Sequence, residues 1–384
     1  MTRPLLALLA AACLVPVGVR AVATTIVPTS DAQVIETLPA AAGRREDRDA
    51  RRHLAQWPGD AAIAADFARR QLQRAREQGD PRFAGQALAV LSHWSDGATA
   101  PPDVLLLQAT LQQFLHRFDD AAATLDVLLK REPRQAQAWL TLATVRRVQG
   151  RYAESDTACA GVQASGQPLH AAACRAENAA LRGRVVQARA TLAGLLGSPR
   201  FDPRTRAWLL TTLAELEMRA GESAGADRAY RGALAAAPDD YARLSYADFL
   251  IGLGRHDEAL ETLRPMTRTD AVVLRLAIAG ARAGAPAAAA DAREMRERIA
   301  AANLRPDAQV AHAREQAMFA LWIERDPARA LALARTNVQA QREPLDLLLL
   351  AQAARAAGDA PARREAAGVV AGQGLRDVRI DALR

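Results

Sequence analysis

The sequence has 384 residues, of which 50% are hydrophobic and only 4% aromatic, so small aliphatic side chains must build most of the core. Charged residues make up 24%, which excludes a polytopic membrane protein and a disordered polyelectrolyte. The net charge is +7, yet Lys130 is the only lysine among the 50 basic residues. Lysine-based phosphate loops and Schiff-base enzymes are poor matches, because Lys130 follows Leu129 rather than a glycine.

The first residues predict export. Arg3 precedes an apolar stretch, residues 4–19, that is too short to span a bilayer, and residues 21–23 form a small-x-small cleavage site. We therefore interpret residues 1–23 as a secretory signal peptide and expect a periplasmic or secreted protein without a transmembrane segment after cleavage. Cys13 follows three alanines, as in a lipoprotein box, but the apolar run continues beyond it, so we do not expect a lipid anchor.

From residue 61 onward the chain alternates apolar helical patches with short turns, and it lacks the alternating β-branched runs of strands. This pattern predicts an all-α fold. Turn residues recur at intervals of 30 to 41 residues, and a small residue stands five places after most of them. Two helices per unit of this length predict an α-solenoid of about nine stacked helix-turn-helix repeats. The predicted turn residues are Gly79, His116, Gly150, Gly183, Gly221, Gly254, Gly284, Arg325 and Gly358.

The repeat pattern is clearest in residues 102–135, 136–169 and 207–240. In residues 136–169 a tryptophan, a leucine, a small residue, a turn glycine and an aromatic residue follow in order, at Trp139, Leu142, Ala143, Gly150 and Tyr152. The chain thus resembles the tetratricopeptide repeat family, whose 34-residue units are helix-turn-helix pairs, and the resemblance covers about 300 residues. It departs from the family pattern where proline replaces the aromatic residue of the turn, at Pro81, Pro286 and Pro327.

The repeats leave no room for a second folded domain. We assign residues 24–44 to a flexible lead, residues 45–371 to the tetratricopeptide-like repeat domain and residues 372–384 to a loose C-terminal tail.

Catalytic and metal-binding motifs are missing from the sequence. Ser165-Gly166 lacks the glycine-flanked elbow of a serine hydrolase, and Gly252-x-Gly254 lies at a helical corner without the preceding strand of a dinucleotide loop. His312 and Glu315 lie one helical turn apart, but no further ligand completes a metal site. We therefore predict a protein that is not an enzyme and needs no cofactor or metal.

Signal cleavage leaves two cysteines in a compartment that permits disulfides. Cys159 is predicted on the second helix of one repeat and Cys174 on the first helix of the next, and these helices are neighbours in the resembled architecture. A disulfide between the two repeats is one interpretation. The alternative is that both cysteines are small apolar fillers of the core.

The resemblance implies a binding groove, because in this family the first helices line the concave face. Trp208 is the sharpest candidate for a ligand contact, and packing against the preceding repeat is its alternative. Mixed charges fit an extended peptide better than an anion, and the family's carboxylate-clamp pattern is absent, with Leu106, Leu140 and Ala173 at its fifth position. The implied groove residues are Gln113, Phe114, Gln137, Thr144, Arg147, His170, Glu177, Trp208, Thr211, Glu215, Arg219, Tyr241 and Asp248.

These observations favour a non-catalytic scaffold of the bacterial envelope that binds a protein or peptide partner in a concave groove. One alternative is an architectural organiser associated with the outer membrane. Another is the non-catalytic part of a glycosyltransferase-type system, although no strand-rich segment of about 100 residues is visible for a catalytic domain. Export and the mixed charges argue against a nucleic-acid partner.

Overall fold

A computed structural model describes Ser30 and residues 42–198, 201–304 and 312–383. The chain divides into two compact units, residues 1–49 and 50–384. In the first unit the described residues are Ser30 and the helical residues 42–49. The predicted signal peptide and nearly all of the predicted lead lie outside the described residues. The remaining description concerns the second unit.

The predicted all-α fold is confirmed, since the described part of the chain contains 20 α-helices and no strand. A 3₁₀ turn, Ser92–Trp94, follows α3, and a π-helical turn, Ala320–Glu324, follows α16. The helices are α1 (Ala42–Gln56), α2 (Ala61–Gln78), α3 (Pro81–Leu91), α4 (Pro102–Phe114), α5 (Phe118–Arg131), α6 (Ala136–Val148), α7 (Tyr152–Ala164), α8 (Pro168–Leu181), α9 (Val185–Leu196), α10 (Pro203–Ala220), α11 (Ser223–Ala236), α12 (Asp240–Gly252), α13 (His256–Leu263), α14 (Asp270–Ala283), α15 (Ala288–Ala302), α16 (Ala313–Phe319), α17 (Pro327–Ala340), α18 (Pro344–Ala356), α19 (Ala360–Gln373) and α20 (Val378–Asp381).

The nine predicted turn residues each separate the two helices of a hairpin, from α2 and α3 to α18 and α19. All nine have a positive φ, between 56° and 84°. Glycine adopts this left-handed conformation without steric cost, which explains why it holds seven of the nine positions. His116 and Arg325 hold the other two, and they are the only non-glycine residues with positive φ in the described ranges.

Proline and aspartate define where several second helices begin. Pro81 and Pro327 are the first residues of α3 and α17, where a helix needs no backbone N–H. The carboxylates of Asp80 and Asp326 accept hydrogen bonds from free backbone N–H groups of the same first turns. Pro81 and Pro327 are therefore compatible with the hairpin, whereas Pro286 lies two residues before α15.

In most of the stack the second helix of one hairpin packs on the first helix of the next, and the first helices also meet. Each first helix contacts the first helix of the next hairpin, in an unbroken series from α2 to α18. Small side chains allow this approach because they bring the helix axes close together. The alanines at the two small positions are buried, with the first helices contributing Ala109, Ala143, Ala176, Ala214, Ala247, Ala277 and Ala351, and the second helices Ala84, Ala121, Ala188, Ala226, Ala259 and Ala330.

The seventh hairpin departs from the predicted spacing. Ala289, five places after Gly284, is exposed, and Ala288 instead faces Gly280, where an added Cβ would lie 3.2 Å from the alanine methyl. The reason is that α15 begins four residues after Gly284, whereas the other second helices begin two residues after their turn residue.

The C-terminal residues differ from the predicted loose tail. Leu375, Asp377 and Ile380 are buried, and Ile380 lies in the four-residue helix α20. The Arg376 backbone N–H donates to the Leu181 carbonyl at 2.9 Å, so this segment packs on helices almost 200 residues earlier. Its sequence shows no helical period because it meets the core through isolated side chains rather than through a continuous apolar face.

Cys159 on α7 and Cys174 on α8 are joined by a disulfide, with their Cα atoms 5.8 Å apart. Both side chains are buried. The bond connects the second helix of one hairpin to the first helix of the next, which is the location that the sequence suggested for it.

We expect loss of this disulfide to lower the free energy of unfolding by about 3 kcal/mol, because the bond closes a loop of 15 residues. Peptide mapping under non-reducing conditions should first show the linked pair in protein purified after export. Urea titrations then compare oxidised protein with the Cys159→Ala/Cys174→Ala double variant. Free thiols at both positions would contradict the disulfide.

Gly252 and Gly254 provide a matched test of the turn geometry, since an added Cβ would meet no atom within 4 Å at either position. Gly254 has a φ of 76°, so Gly254→Ala should destabilise the protein by about 1 kcal/mol. Gly252 ends α12 with a negative φ, and Gly252→Ala should stabilise by about 0.5 kcal/mol or leave stability unchanged. Urea unfolding followed by circular dichroism measures both. Equal effects of the two substitutions would contradict the left-handed backbone conformation at Gly254.

Candidate functional site

The implied groove residues all lie on first helices, from α4 to α12. Many of them are committed to partners within the protein. The Arg147 Nε lies 2.9 Å from Glu177 Oε1, and this ion pair joins α6 to α8. Asp248 receives two hydrogen bonds from the guanidinium of Arg275 on α14, at 2.8 and 2.6 Å. These charges therefore hold successive hairpins together.

Several uncharged members are also engaged locally. The Thr211 hydroxyl is buried and donates to the Ala207 carbonyl of its own helix. Thr144 donates in the same way to Leu140, and Gln137 donates to Thr141 at 3.4 Å. A hydroxyl that already donates its hydrogen to the carbonyl one helical turn earlier has no donor left for a ligand. These three positions thus contribute to the helix surface rather than to recognition.

Trp208 is half-buried and stacks on His170 of α8, with 6.0 Å between ring centroids. This stacking agrees with the second interpretation of the sequence, in which Trp208 packs against the preceding repeat. Tyr241 is instead the exposed aromatic side chain of the predicted set, with 61% of its surface accessible. The sequence could not distinguish the two rings, because their exposure depends on the side chains that neighbouring repeats supply.

A polar cluster surrounds Glu215 on the inner side of α10. The Tyr241 hydroxyl donates to its carboxylate at 2.7 Å and the Ser245 hydroxyl at 3.1 Å. Burial raises the pKa of Glu215, and the nearby Arg219 guanidinium, 4.0 Å away, opposes that rise. The Nε and Nη2 atoms of Arg219 and the hydroxyl of Tyr152 are buried without a hydrogen-bond partner among the described residues. Buried polar atoms of this kind are usually satisfied by water or a ligand.

A cleft of about 930 Å³ opens between the first two hairpins and residues 269–343. Its volume lies within the range of ordinary ligand pockets. The predicted residues Gln113 and Phe114 line it. Its apolar wall also includes Leu88, Leu115 and Val148.

Charges of both signs line the same cleft. Arg82 and Arg117 pair with acids of their own turns, at Asp80 and Asp120. Arg76 and Glu315 form no hydrogen bond or ion pair with any described residue and remain available to a ligand. A positive and a negative charge beside an apolar wall match a peptide better than a simple anion.

A buried ion network forms one wall of the cleft. Asp346 is fully buried and accepts two hydrogen bonds from Arg314, at 2.6 and 2.9 Å, and one from Asn337 at 2.6 Å. Arg314 also donates to Glu343 at 2.6 Å. Burial raises the pKa of Asp346 to about 6, although Arg314 opposes the shift. The network fixes α16 and α17 against the start of α18.

His116 lies at the junction of the cleft with a second, smaller cavity lined by Arg117, Gln149 and Arg342. Its ring contacts Phe118, with centroids 5.6 Å apart. Burial lowers the pKa of His116, and Arg314 and His312 act in the same direction, whereas Glu315 and Glu343 oppose them. The sequence identified His116 only as a turn residue, because nothing in its own repeat shows that residues 312–343 approach it.

The described residues contain no group of three or more histidine, cysteine, aspartate or glutamate side chains arranged to hold a metal. His312 and Glu315 do line the same cleft, but no third ligand joins them there. None of the helices that the structure describes has the length and apolar character needed to cross a bilayer.

The stacked hairpins and their left-handed turns define a helical repeat protein. The family model described as tetratricopeptide repeat matches residues 106–168 and 211–266. These two segments are similar to the tetratricopeptide repeat family, and the resemblance drawn from the sequence is confirmed.

Solved structures of tetratricopeptide repeat proteins are similar to this chain at low sequence identity. A tetratricopeptide repeat protein from Parabacteroides merdae is 17% identical, with a TM-score of 0.38 over 66% of this chain and 98% of that one. The tetratricopeptide repeat domain of P58(IPK) is 15% identical, with a TM-score of 0.22 over 82% of this chain and 96% of that one. None of the curated proteins is similar to this chain in sequence.

The lowered pKa of His116 predicts a pH dependence of stability. The folded state favours the neutral ring, so the unfolded chain binds more protons than the folded chain as the pH falls through the ordinary pKa of 6.5. The free energy of unfolding therefore falls as the pH is lowered. His116→Asn removes the titrating group, and asparagine tolerates a positive φ. We expect the variant to lose less stability than the wild type between pH 7 and pH 5.

Urea titrations at the two pH values measure this difference. His93→Asn, which changes an exposed histidine outside the cleft lining, is the control and should follow the wild type. Equal losses of stability for His116→Asn and the wild type on acidification would contradict the lowered pKa of His116.

Proposed function

We propose that this protein is an exported, non-catalytic scaffold of the bacterial envelope that binds a segment of a partner protein in the inner cleft. The repeat family supports a role in protein interaction, since stacked helical hairpins create extended concave binding surfaces. The predicted signal peptide supports export.

The observation that carries the proposal is the composition of the cleft. It combines an apolar wall around Phe114 with the free charges of Arg76 and Glu315 in about 930 Å³. Such a site accepts an apolar side chain together with flanking charges of both signs, as an extended peptide presents them. Because the ion network of Arg314 and Asp346 already fixes one wall, a ligand would meet a largely ordered site.

Gly85 and Gly368 allow a direct test in cells. Gly85 on α3 lines the cleft, Gly368 lies exposed on α19, and an added Cβ would meet no atom within 4 Å at either position. A photo-crosslinking amino acid at position 85 should capture a specific envelope protein after export, and the same amino acid at position 368 should not. Mass spectrometry identifies the captured protein.

The captured protein is then purified and its affinity measured. Gly85→Trp fills the cleft and should weaken binding at least tenfold, about 1.4 kcal/mol, while Gly368→Trp should leave the affinity unchanged. Arg76→Glu should weaken binding less, because one exposed ion pair contributes about 0.5 kcal/mol. Equal capture from both positions, or an affinity that Gly85→Trp does not change, would refute the cleft as the binding site.

A further inference from the structure

Arg219, near the end of α10, carries donors that no described residue uses. Its side chain is only 6% exposed, and its Nε and Nη2 atoms have no hydrogen-bond partner among the described residues. Its ion pair with Glu215 is long, with 4.0 Å between Nη1 and Oε2. A buried charged donor without an acceptor is unfavourable, so these two atoms call for a ligand or for water.

The Nε and Nη2 atoms form the edge of the guanidinium with which this chain binds carboxylates elsewhere. Two parallel N–H groups on that edge match the spacing of the two oxygens of a carboxylate. Three other arginines hold one carboxylate each through these two atoms, at 2.6 to 2.9 Å: Arg189 with Glu217, Arg275 with Asp248, and Arg314 with Asp346. In Arg219 the same pair of donors lacks a described carboxylate.

Tyr152, the first residue of α7, adds a further polar group. Its side chain is 3% exposed, and its hydroxyl is likewise buried without a hydrogen-bond partner among the described residues. Burial raises the pKa of Tyr152 to about 12, and Arg219 is the charged group that most strongly opposes the rise, which places the guanidinium near the hydroxyl. A phenol hydroxyl can donate to a carboxylate oxygen.

The acidic groups around Arg219 have other partners. The Tyr241 hydroxyl donates to Oε1 of Glu215 at 2.7 Å, and Arg147 pairs with Glu177 at 2.9 Å. Neither carboxylate forms a hydrogen bond with Arg219 in the part of the chain that the structure describes. The charge of Arg219 is therefore only partly neutralised by its surroundings.

The side chain of Tyr241 offers a route to these atoms. Solvent does not reach the unpartnered atoms of Arg219 and Tyr152 in this conformation, so a ligand must move a covering side chain. Tyr241 is 61% exposed, and its hydroxyl bonds to Glu215, the residue that pairs with Arg219. Exposed side chains change rotamer rapidly, and this movement leaves the stacked helices in place.

We infer that Arg219 and Tyr152 form a binding site for a carboxylate group, in which the Nε and Nη2 atoms of the guanidinium donate two parallel hydrogen bonds and the Tyr152 hydroxyl a third. Neither residue lines the cleft beside Phe114, so this site does not depend on the proposed function of that cleft. The carboxylate belongs either to a small organic acid or to an acidic side chain of a protein segment.

Isothermal titration of the full-length chain with sodium acetate tests the site, with sodium chloride keeping the ionic strength constant. We expect saturable binding of acetate to the wild type. Arg219→Lys keeps the charge but removes the paired donors, and it should weaken binding about tenfold. Arg228→Lys, which changes an exposed arginine on α11, is the matched control and should leave the affinity unchanged.

Glu215→Gln provides a variant with the opposite expected effect. It removes the negative charge that lies 4.0 Å from Arg219 Nη1, so acetate should bind about threefold more tightly. A variant that merely failed to fold would lose binding instead of gaining it. The pair of variants therefore separates a ligand site from a structural role of Arg219.

A blocked glycine-aspartate-glycine peptide distinguishes the two sources of the carboxylate. Tighter binding of this peptide than of acetate would assign the site to an acidic side chain, and weaker binding would assign it to a small organic acid; both results support the site. No saturable binding of either probe to the wild type would leave water as the occupant and overturn the inference. Equal affinity of the wild type and Arg219→Lys would overturn it as well.

Discussion

The close approach of each first helix to its own second helix and to the neighbouring hairpin is the constraint on which the rest of this structure depends. It requires a small side chain wherever one first helix meets its own second helix and the next first helix. Ala143 and Ala214 are fully buried at such positions, and so are Ala121 and Ala226 on the second helices. A larger residue there would separate the helices, and every later hairpin would be displaced. This explains how a chain with 4% aromatic residues forms an extensive core.

Arginine supplies the second regular element of the stack. Ion pairs between residues 27 to 32 positions apart connect one hairpin to the next at several places in the array. Exposed pairs such as Arg335–Glu365 add little stability. The more buried pairs act differently, because a charge on a first helix finds its partner only when the neighbouring hairpin has the correct register. Arg275 and Asp248 meet in this way, with two parallel hydrogen bonds that suit the planar guanidinium.

The sequence predicted what is local to a repeat and missed what is distant. The nine turns were predicted correctly, including His116 and Arg325, because the period alone placed them where glycine was absent. The groove residues were placed on the correct helices for the same reason. The contact of Val148 with Arg342 had no sequence signal, because it arises from small rotations that accumulate over several repeats. The packed segment after Gly374 and the second side of the cleft were missed for this reason too.

These distant contacts change how the concave face can be used. In an open solenoid every first helix would offer its inner side to a ligand. Here residues 341–383 contact the inner ends of α6, α8 and α10, and some polar groups of that face, such as Arg147 and Glu177, bind each other. A ligand therefore either enters the cleft beside Phe114, which the chain leaves open, or replaces contacts that the chain already makes. The first route requires little rearrangement. The second requires the ligand to offset the free energy of the contacts that it replaces.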